Sequence, residues 1–377
     1  MRLLYLFPEE FRGNQAREFH VYRLANSLAA AGAEVVLAAA DSGDLSCAEA
    51  LGERFQEKPH KRLQTVFFSR SPWPSHWPLP HIKSSAFFFH KIRRWMESGD
   101  RLFDAAFTMH LKGADFLLSR FPACPLVFEA HEIFADSHPV SSRRHQDLLR
   151  LQKRVHDHAA ATVALNAYLL SEIRRRMSLP TGRPTHLQHD GIDRSLLSLD
   201  TSKANPAELI YLGSFQPWKG VDVAVEAMRL LPDMRLTVVG GSIAQVAAMQ
   251  KQAPPNVVFT GYLPREKTAA FLENASIGLL PNRLEPPSAL STFPLKLLEY
   301  AAAGKWVAAS RLPVFQDLRL SSWIELVEPE RPEELARAIR ELAKRRAERA
   351  HAREWAAQFI WEKQGEKLLC FLESLKK

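Results

Sequence analysis

Apolar and polar positions follow one another along this chain in the order expected of repeated strand–helix units. Residues 2–7 predict a buried strand, residues 16–31 a helix that ends at Gly32, and residues 35–40 a second strand. A strand, a helix and a strand in this order form a βαβ unit, which is the usual start of a parallel sheet. The chain therefore opens with an α/β domain.

The same alternation continues through the rest of the chain. Residues 190–205 are rich in Ser, Lys, Asn and Pro, which favours a linker, and a second α/β unit begins at Glu208. Further strands are predicted at 103–110, 126–130, 159–165, 209–212, 235–241 and 277–280, and further helices at 143–154, 168–177, 221–230, 266–274, 294–303, 332–345 and 351–375. The pattern thus predicts two domains, each with a parallel sheet.

Length and composition agree with two domains. The chain has 377 residues, of which 46% are hydrophobic, enough for two buried cores. Its three Cys residues are scattered without a CxxC pair, which favours a reducing cytosol over a disulfide framework or a cysteine zinc site. The apolar runs are too short for a secretory leader or a spanning helix, so we expect a cytoplasmic protein.

The positive charge of the chain, +8 in total, is concentrated in one region. Residues 51–101 hold ten Lys and Arg residues but four Asp and Glu, and residues 67–95 interleave Trp and Phe with Lys and Arg. Such a mixture suits an anionic membrane surface or single-stranded nucleic acid. Because no nucleic-acid-binding motif accompanies it, we expect no nucleic acid partner. The alternative is a helix packed on the first core, with its basic residues solvated.

The helix predicted at 294–303 offers a site for an anion. A Ser-Thr pair can cap it, Pro is tolerated in its first turn, and its first N–H groups are expected to be unpaired. Lys296 would add an ammonium group, and Glu299 a carboxylate that could accept from sugar hydroxyls. A capped core helix with a surface ion pair explains these residues equally well. The predicted anion site consists of Ser291, Thr292, Phe293, Pro294, Leu295, Lys296 and Glu299.

Two positions in the first half could also belong to a site. The loop at residues 8–15 holds one glycine, Gly13, and no GxGxxG, which argues against hydride transfer with a dinucleotide. His131 directly follows the strand 126–130, where open α/β sheets place their sites. A plain turn glycine and a surface histidine are the alternatives.

Residues 280–310, LPNRLEPPSALSTFPLKLLEYAAAGKWVAAS, resemble the donor-site segment of retaining GT-B glycosyltransferases of family four, also called glycosyl transferases group 1. Glu299 matches the second Glu of their usual paired motif, and Ser291 replaces the first. Residues 293–300 are close to the Ser-Pro-x-Lys-x-x-Glu-Tyr form of some members.

Other segments extend the resemblance over most of the chain. The family's Gly-Arg-x-x-x-x-Lys-Gly loop is matched with Ser in place of Arg, and residues 257–263 resemble the segment that faces the nucleotide base. The resemblance implies Lys219 and Lys296 as diphosphate cations and His131 as a histidine near the reacting carbon. It implies further donor contacts by Gly13, Gly213, Ser214, Tyr262 and Leu263.

The resemblance implies a GT-B architecture, in which two Rossmann-like domains face a cleft. Residues 1–195 would form the acceptor-side domain, 205–355 the nucleotide-sugar donor domain, and 356–377 a C-terminal helix that packs back on the first domain. The implied reaction moves a sugar, with retention, from a nucleotide-diphosphate sugar to an acceptor glycan or lipid-linked glycan, without a cofactor or metal ion. Polysaccharide or glycolipid assembly at the inner face of the membrane is the corresponding expectation.

Two other functions stay open from the sequence. One is a sugar-nucleotide epimerase of the same fold, which the Lys219-Gly220 pair and the LLEYAAAG segment disfavour. The other is a non-catalytic protein that binds sugar nucleotides or serves as a membrane scaffold, because Ser291 cannot supply the charge of the missing Glu.

Overall fold

The structure, a computed structural model, describes residues 1–13, 15–41, 47–72, 84–99, 102–285, 293–345 and 349–376. The chain forms two compact units, Met1–Gly191 with Trp361–Lys377, and Ile192–Ile360. Each unit is built on one parallel sheet, with seven strands in the first and six in the second. The prediction of two Rossmann-like domains is therefore confirmed.

The first unit alternates strands and helices, and its sheet has the order β3-β2-β1-β4-β5-β6-β7. Its strands are β1 Arg2–Glu10, β2 Glu34–Ala40, β3 Leu63–Phe68, β4 Ala105–Thr108, β5 Leu126–Ala130, β6 Ala161–Ala164 and β7 Thr185–Leu187. The helices between them are α1 Ala16–Ala31, α2 Ala48–Phe55, α3 Ser85–Glu97, α4 Leu111–Arg120, α5 Arg143–His158 and α6 Ala167–Met177.

Strand β1 lies at the centre of this sheet and serves both of its faces. Leu3, Tyr5 and Phe7 belong to one buried cluster, whereas Leu4 and Leu6 belong to another. This division follows from the pleat, since successive side chains of a strand point to opposite faces. Burial on both faces explains why β1 is a continuous apolar run rather than an alternating one.

The second unit repeats the plan with the strand order β10-β9-β8-β11-β12-β13. Its strands are β8 Asn205–Leu212, β9 Arg235–Val239, β10 Val257–Gly261, β11 Ala275–Leu280, β12 Trp306–Ser310 and β13 Ile324–Val327. Its helices are α7 Val221–Arg229, α8 Ile243–Gln250, α9 Arg265–Asn274, α10 Leu295–Ala302, α11 Pro332–Lys344 and α12 Arg349–Ala356.

The last helix, α13 (Trp361–Ser374), belongs to the first unit although it follows the second in sequence. It packs closely on α1, because a Cβ atom on Gly365 would lie 2.5 Å from the backbone carbon of Ser27. Leu368 and Leu372 are fully buried in the core that α1 and β1 share.

The single helix predicted at 351–375 is wrong, because the chain forms two helices there. The backbone of Ile360 is extended and forms a parallel bridge with Ile192. Trp355 and Phe359 lie in the core of the second unit, whereas Trp361 lies in the core of the first. The apolar positions on the two sides of Ile360 therefore serve different cores, and one helix could not supply both.

The aromatic residues of α3 pack inward. Phe88 is fully buried, the ring of Phe89 lies 4.8 Å from that of Phe116, and Trp95 contacts Phe68 and Phe103. This arrangement matches the alternative of a helix packed on the first core. A membrane contact through residues 67–95 stays a prediction, and residues 73–83 of that segment lie outside the described residues.

No helix in the described parts of the chain is both long and apolar enough to cross a lipid bilayer.

Candidate functional site

The carboxyl edge of the second sheet brings together several of the described residues that the sequence singled out in that half. The strand order reverses between β8 and β11, and open α/β sheets bind ligands at such a switch point. Gly213 and Ser214 follow β8, Tyr262 and Leu263 follow β10, and α10 begins beyond the loop that follows β11. Lys219 ends a short 3-10 turn just before α7.

Two glycines allow the backbone at this edge to pack closely. Gly220 has a φ angle of +64°, and a Cβ atom there would lie 1.9 Å from the carbonyl oxygen of Pro281. A Cβ atom on Gly240 would lie 1.9 Å from the carbonyl oxygen of Gly213. Only glycine fits such positions, so the loop between β8 and α7 is held against the ends of β9 and β11.

Tyr300 in α10 fixes the end of β8. Its hydroxyl group accepts a hydrogen bond of 2.8 Å from the backbone N–H of Leu212, and the side chain is fully buried. The ring lies over Gly278, where a Cβ atom would come within 2.5 Å of it. The last residue of β8 before the Gly213 loop is thereby tied to the helix that carries Lys296 and Glu299.

Lys219, Lys296 and Glu299 form a cluster of interacting charges at this edge. The Lys296 ammonium group lies 2.6 Å from a carboxylate oxygen of Glu299, and the Lys219 Nζ lies 4.9 Å from the centre of the Trp218 ring. Burial, followed by the positive charge of Lys296, lowers the pKa of Lys219 to about 8, although Glu299 opposes the shift. With two ammonium groups and one carboxylate, the cluster would gain stability from an added anion.

The start of α10 differs in part from the prediction. The helix begins at Leu295, and its first N–H groups were expected to be unpaired. That is wrong for two of them, because Leu295 donates to the carbonyl oxygen of Phe293 and Leu297 to that of Pro294. Two predicted anion-site residues, Ser291 and Thr292, lie outside the described residues.

The remaining donor-site predictions are placed as follows. Ser214 and Tyr262 are exposed at the carboxyl edge, the latter with 82% of its surface accessible, whereas Leu263 packs partly on the core. The side chain of Phe293 is buried, and its ring lies 6.0 Å from that of Phe359. An aromatic ring as exposed as that of Tyr262 is available for stacking, whereas Phe293 supports the core.

Gly13 in the first unit is held by a carboxylate. Its N–H donates to the Glu18 carboxylate at 2.5 Å, and that of Arg12 donates to the same oxygen at 2.8 Å. Glu18 is buried in the first turn of α1. The Gly13 N–H therefore already has an anionic partner within the chain.

His131 follows β5 and joins a buried network that the sequence did not reveal. Its Nε2 lies 3.4 Å from Glu129, and its ring meets that of His20 edge-on at 4.7 Å. His20 lies between two carboxylates, with Nε2 at 2.8 Å from Glu129 and Nδ1 at 2.6 Å from Asp190. Tyr5 contacts the second oxygen of Glu129 at 3.3 Å.

The charges of this network are set by mutual pairing. Burial alone would lower the pKa of His20, but Glu129 and Asp190 outweigh it and raise the pKa to about 10. Burial would raise the pKa of Glu129, but the two histidines hold it well below its usual range. His20 is therefore an imidazolium between two carboxylates.

On distance alone, His20, Glu129 and His131 could hold a metal ion, since one ligand atom of each lies within 4.8 Å of the others. However, both ring nitrogens of His20 already bond to carboxylates, which favours the protonated ring over a metal ligand. Nothing in the sequence marked His20 or Glu129, because one lies inside α1 and the other inside a buried strand.

Family models match most of the chain. Residues 18–196 match the model described as Glycosyltransferase Family 4, and residues 206–345 match the one described as Glycosyl transferases group 1. A protein of Bacillus subtilis (strain 168) named as a teichuronic acid biosynthesis glycosyltransferase, TuaH, is 25% identical over 238 residues, which cover 58% of this chain and 59% of that protein. The glycogen synthase of Mycobacterium tuberculosis (strain CDC 1551 / Oshkosh) is 31% identical over 118 residues, 29% of this chain and 27% of that enzyme.

Solved structures resemble the chain over nearly its whole length. Sucrose-phosphate synthase (tll1590) from Thermosynechococcus elongatus has a TM-score of 0.72 at 19% identity and covers 100% of this chain and 99% of its own. Anabaena Alr3699/HepE in complex with UDP has a TM-score of 0.71 at 16% identity, with 99% and 100% covered. At these identities the likeness shows a shared fold, which is the GT-B fold.

Proposed function

The chain belongs to the glycosyl transferases of group 1 and family 4, and we propose that it moves a sugar, with retention, from a nucleotide-diphosphate donor to a hydroxyl group of an acceptor. One observation carries the donor part of this proposal. Lys219 and Lys296 both lie at the switch point of the second sheet, where burial and the positive charge of Lys296 lower the pKa of Lys219. A diphosphate would supply the negative charge that this cluster lacks.

In the proposed reaction, the acceptor oxygen forms a bond to the anomeric carbon while the bond from that carbon to the diphosphate oxygen breaks. The electron pair of the broken bond stays on the diphosphate, which also takes the proton of the acceptor hydroxyl. Lys219 and Lys296 would stabilise the charge that develops on the leaving group, since fixed cations at such a position lower a barrier. Glu299 would hold Lys296 in place and accept a hydrogen bond from the nucleotide's ribose.

The comparisons support this reading at the level of chemistry. Solved relatives of the same fold were crystallised with UDP and with UDP-glucose. We extend nucleotide-sugar binding to this chain, whose base and sugar preferences stay to be measured. We also propose that the protein acts in polysaccharide or glycolipid assembly at the inner face of the membrane. The name of TuaH, a teichuronic acid biosynthesis glycosyltransferase, supports the polysaccharide part of this proposal.

A titration of nucleoside diphosphates and nucleotide sugars tests the donor site. Wild type should bind at least one of them, Lys296→Ala should bind it more weakly, and Lys251→Ala, which removes an exposed lysine beside α8, should match wild type. In turnover assays, Lys296→Ala should lose about 2–4 kcal/mol of transition-state stabilisation in kcat/KM. An unchanged kcat/KM would exclude Lys296 from the reaction.

The nature of the product tests the rest of the proposal. Retention predicts that the new bond has the anomeric configuration of the donor, which proton NMR of the product reports. Donor conversion without any acceptor, giving an isomeric sugar nucleotide, would point to an epimerase instead. Binding without turnover over a broad acceptor panel would point to a non-catalytic binder.

A further inference from the structure

A pocket of about 460 Å³ opens at the carboxyl edge of the first sheet. Arg12 in its wall follows β1, Arg70 follows β3, and His110 and Lys112 follow β4. The strand order reverses between β1 and β4, so this pocket also lies at a switch point. Its volume falls in the range of small-molecule sites. We call it the basic pocket and define it by Arg12, Arg17, Arg70, His110, Lys112 and Arg144.

The side chains that line the basic pocket carry a net positive charge. Five Lys or Arg side chains line it against two carboxylates, which leaves a surplus of three. The two carboxylates are each taken by one arginine, since Arg12 lies 2.9 Å from Glu10 and Arg17 lies 3.0 Å from Glu9.

The other three cations have no acidic partner among the described residues. No carboxylate in those parts of the chain lies within ion-pair distance of Arg70, Lys112 or Arg144. The Nε of Arg70 is buried and makes no hydrogen bond. The side chain of Arg70 lines the pocket and has no acidic partner among the described residues, so an anion bound there would stabilise its charge.

His110 shows the effect of this surplus. Its Nδ1 accepts a hydrogen bond from the N–H of Gly113, which places the proton of the neutral ring on Nε2. Burial, followed by the charges of Lys112, Arg17 and Arg70, lowers the pKa of His110 to about 4. The imidazole is therefore a neutral donor in a field of positive charge.

The wall of the basic pocket is preformed. The carboxylate of Glu18 holds the backbone of the loop after β1 through the N–H groups of Arg12 and Gly13. The N–H of Ser84, next to the pocket residue Ser85, donates to the carbonyl oxygen of Arg70 and ties the start of α3 to the end of β3. A site held in this way loses little entropy when a ligand binds.

We propose that the basic pocket binds the acceptor through an anionic group, a phosphate or a carboxylate, near the hydroxyl that receives the sugar. The inference rests on the proposed function, which assigns the diphosphate donor to the second unit and leaves the acceptor to be bound elsewhere. A neutral glycan would bring no negative charge to Arg70, Lys112 and Arg144, which have no acidic partner among the described residues, whereas an anionic acceptor would pair with them. The acceptor therefore belongs to the class of phosphorylated or uronate-bearing glycans and glycan carriers.

The experiment measures anion binding by titration calorimetry with three probes, of which glucuronate and glucose are matched in size. Inorganic phosphate and glucuronate represent the two anionic groups, and glucose is the neutral control. Wild type should bind phosphate, glucuronate or both, but not glucose. The double variant Lys112→Ala/Arg144→Ala should weaken the binding about tenfold or more, since it removes two charge-assisted contacts. Arg143→Ala, beside Arg144 in α5 and 95% exposed in its side chain, is the matched control and should bind as wild type does.

A parallel titration with UDP separates this inference from the proposed function. UDP binding should be equal in wild type and in the double variant. Equal loss of UDP and phosphate binding would assign the pocket to the donor and overturn the acceptor role. Unchanged anion binding in the double variant, or glucose binding as strong as that of glucuronate, would also overturn it. If wild type binds no nucleoside diphosphate of the donor panel, the donor site is refuted, whereas the phosphate and glucuronate titrations test anion binding in the basic pocket independently. If another nucleoside diphosphate binds wild type and UDP does not, that diphosphate takes the place of UDP in this comparison.

Discussion

The lowered pKa of Lys219 predicts that diphosphate binding depends on pH above neutrality. In the free protein the pKa is about 8, so the side chain is mostly charged at pH 7 and mostly neutral at pH 9. A bound diphosphate would return the pKa towards its ordinary value of about 10.4. Binding above pH 8 then requires uptake of a proton, and the affinity should fall about tenfold, or 1.4 kcal/mol, between pH 7 and pH 9.

The assay is calorimetric titration of one nucleoside diphosphate at half-unit steps from pH 6.5 to 9.5, in buffers of different ionisation enthalpy so that proton uptake is counted directly. Lys219→Arg is the matched variant, because a guanidinium stays charged over this range. Its affinity should change with pH only as far as the ligand itself titrates. Identical pH profiles for wild type and Lys219→Arg would refute the placement of a depressed lysine at the diphosphate.

Three further predictions concern the stability of the two units. His20→Gln should cost about 3–5 kcal/mol in unfolding free energy, because Glu129 and Asp190 lose the buried cation between them. Since the pKa of His20 is raised to about 10, wild type should lose this advantage over the variant as the pH rises from about 6.5 through 10. Denaturant unfolding of both proteins at pH 6 and pH 10 measures the difference. Gly220→Ala should cost about 1–3 kcal/mol in the same assay and weaken diphosphate binding, because the backbone is left-handed there; wild-type stability would contradict the close approach. Tyr300→Phe should cost about 1–3 kcal/mol, since it leaves the N–H of Leu212 buried without an acceptor, and a thermal scan without any loss would refute that bond.

The periodic parts of the fold could be predicted because each element carries its own signal. The helix 16–31 and the strand 126–130 agree with α1 and β5 at both ends. The error at 351–375 shows the limit of such signals. Apolar residues on both sides of Ile360 look alike in sequence, yet Trp355 and Trp361 serve two different cores, and only the folded chain tells them apart.

The candidate sites could be predicted only where their residues share one segment. Lys296 and Glu299 lie one turn apart on α10, and their pairing at 2.6 Å follows from helical spacing. His20, Glu129 and Asp190 come from three distant segments, so their network has no local pattern. The same holds for the basic pocket, because Arg70 follows β3, Lys112 lies on α4 and Arg144 lies on α5.

The position of α13 has a consequence for how the protein is made. On the ribosome, the first unit must wait for its last helix until the 169 residues of Ile192–Ile360 have been synthesised. At about 5–20 residues per second, this delay lasts roughly 8–34 s. During that time the face of α1 that later covers Gly365 and Leu368 stays open to water and to chaperones. The second unit, which is continuous in sequence, can therefore complete its fold before the first.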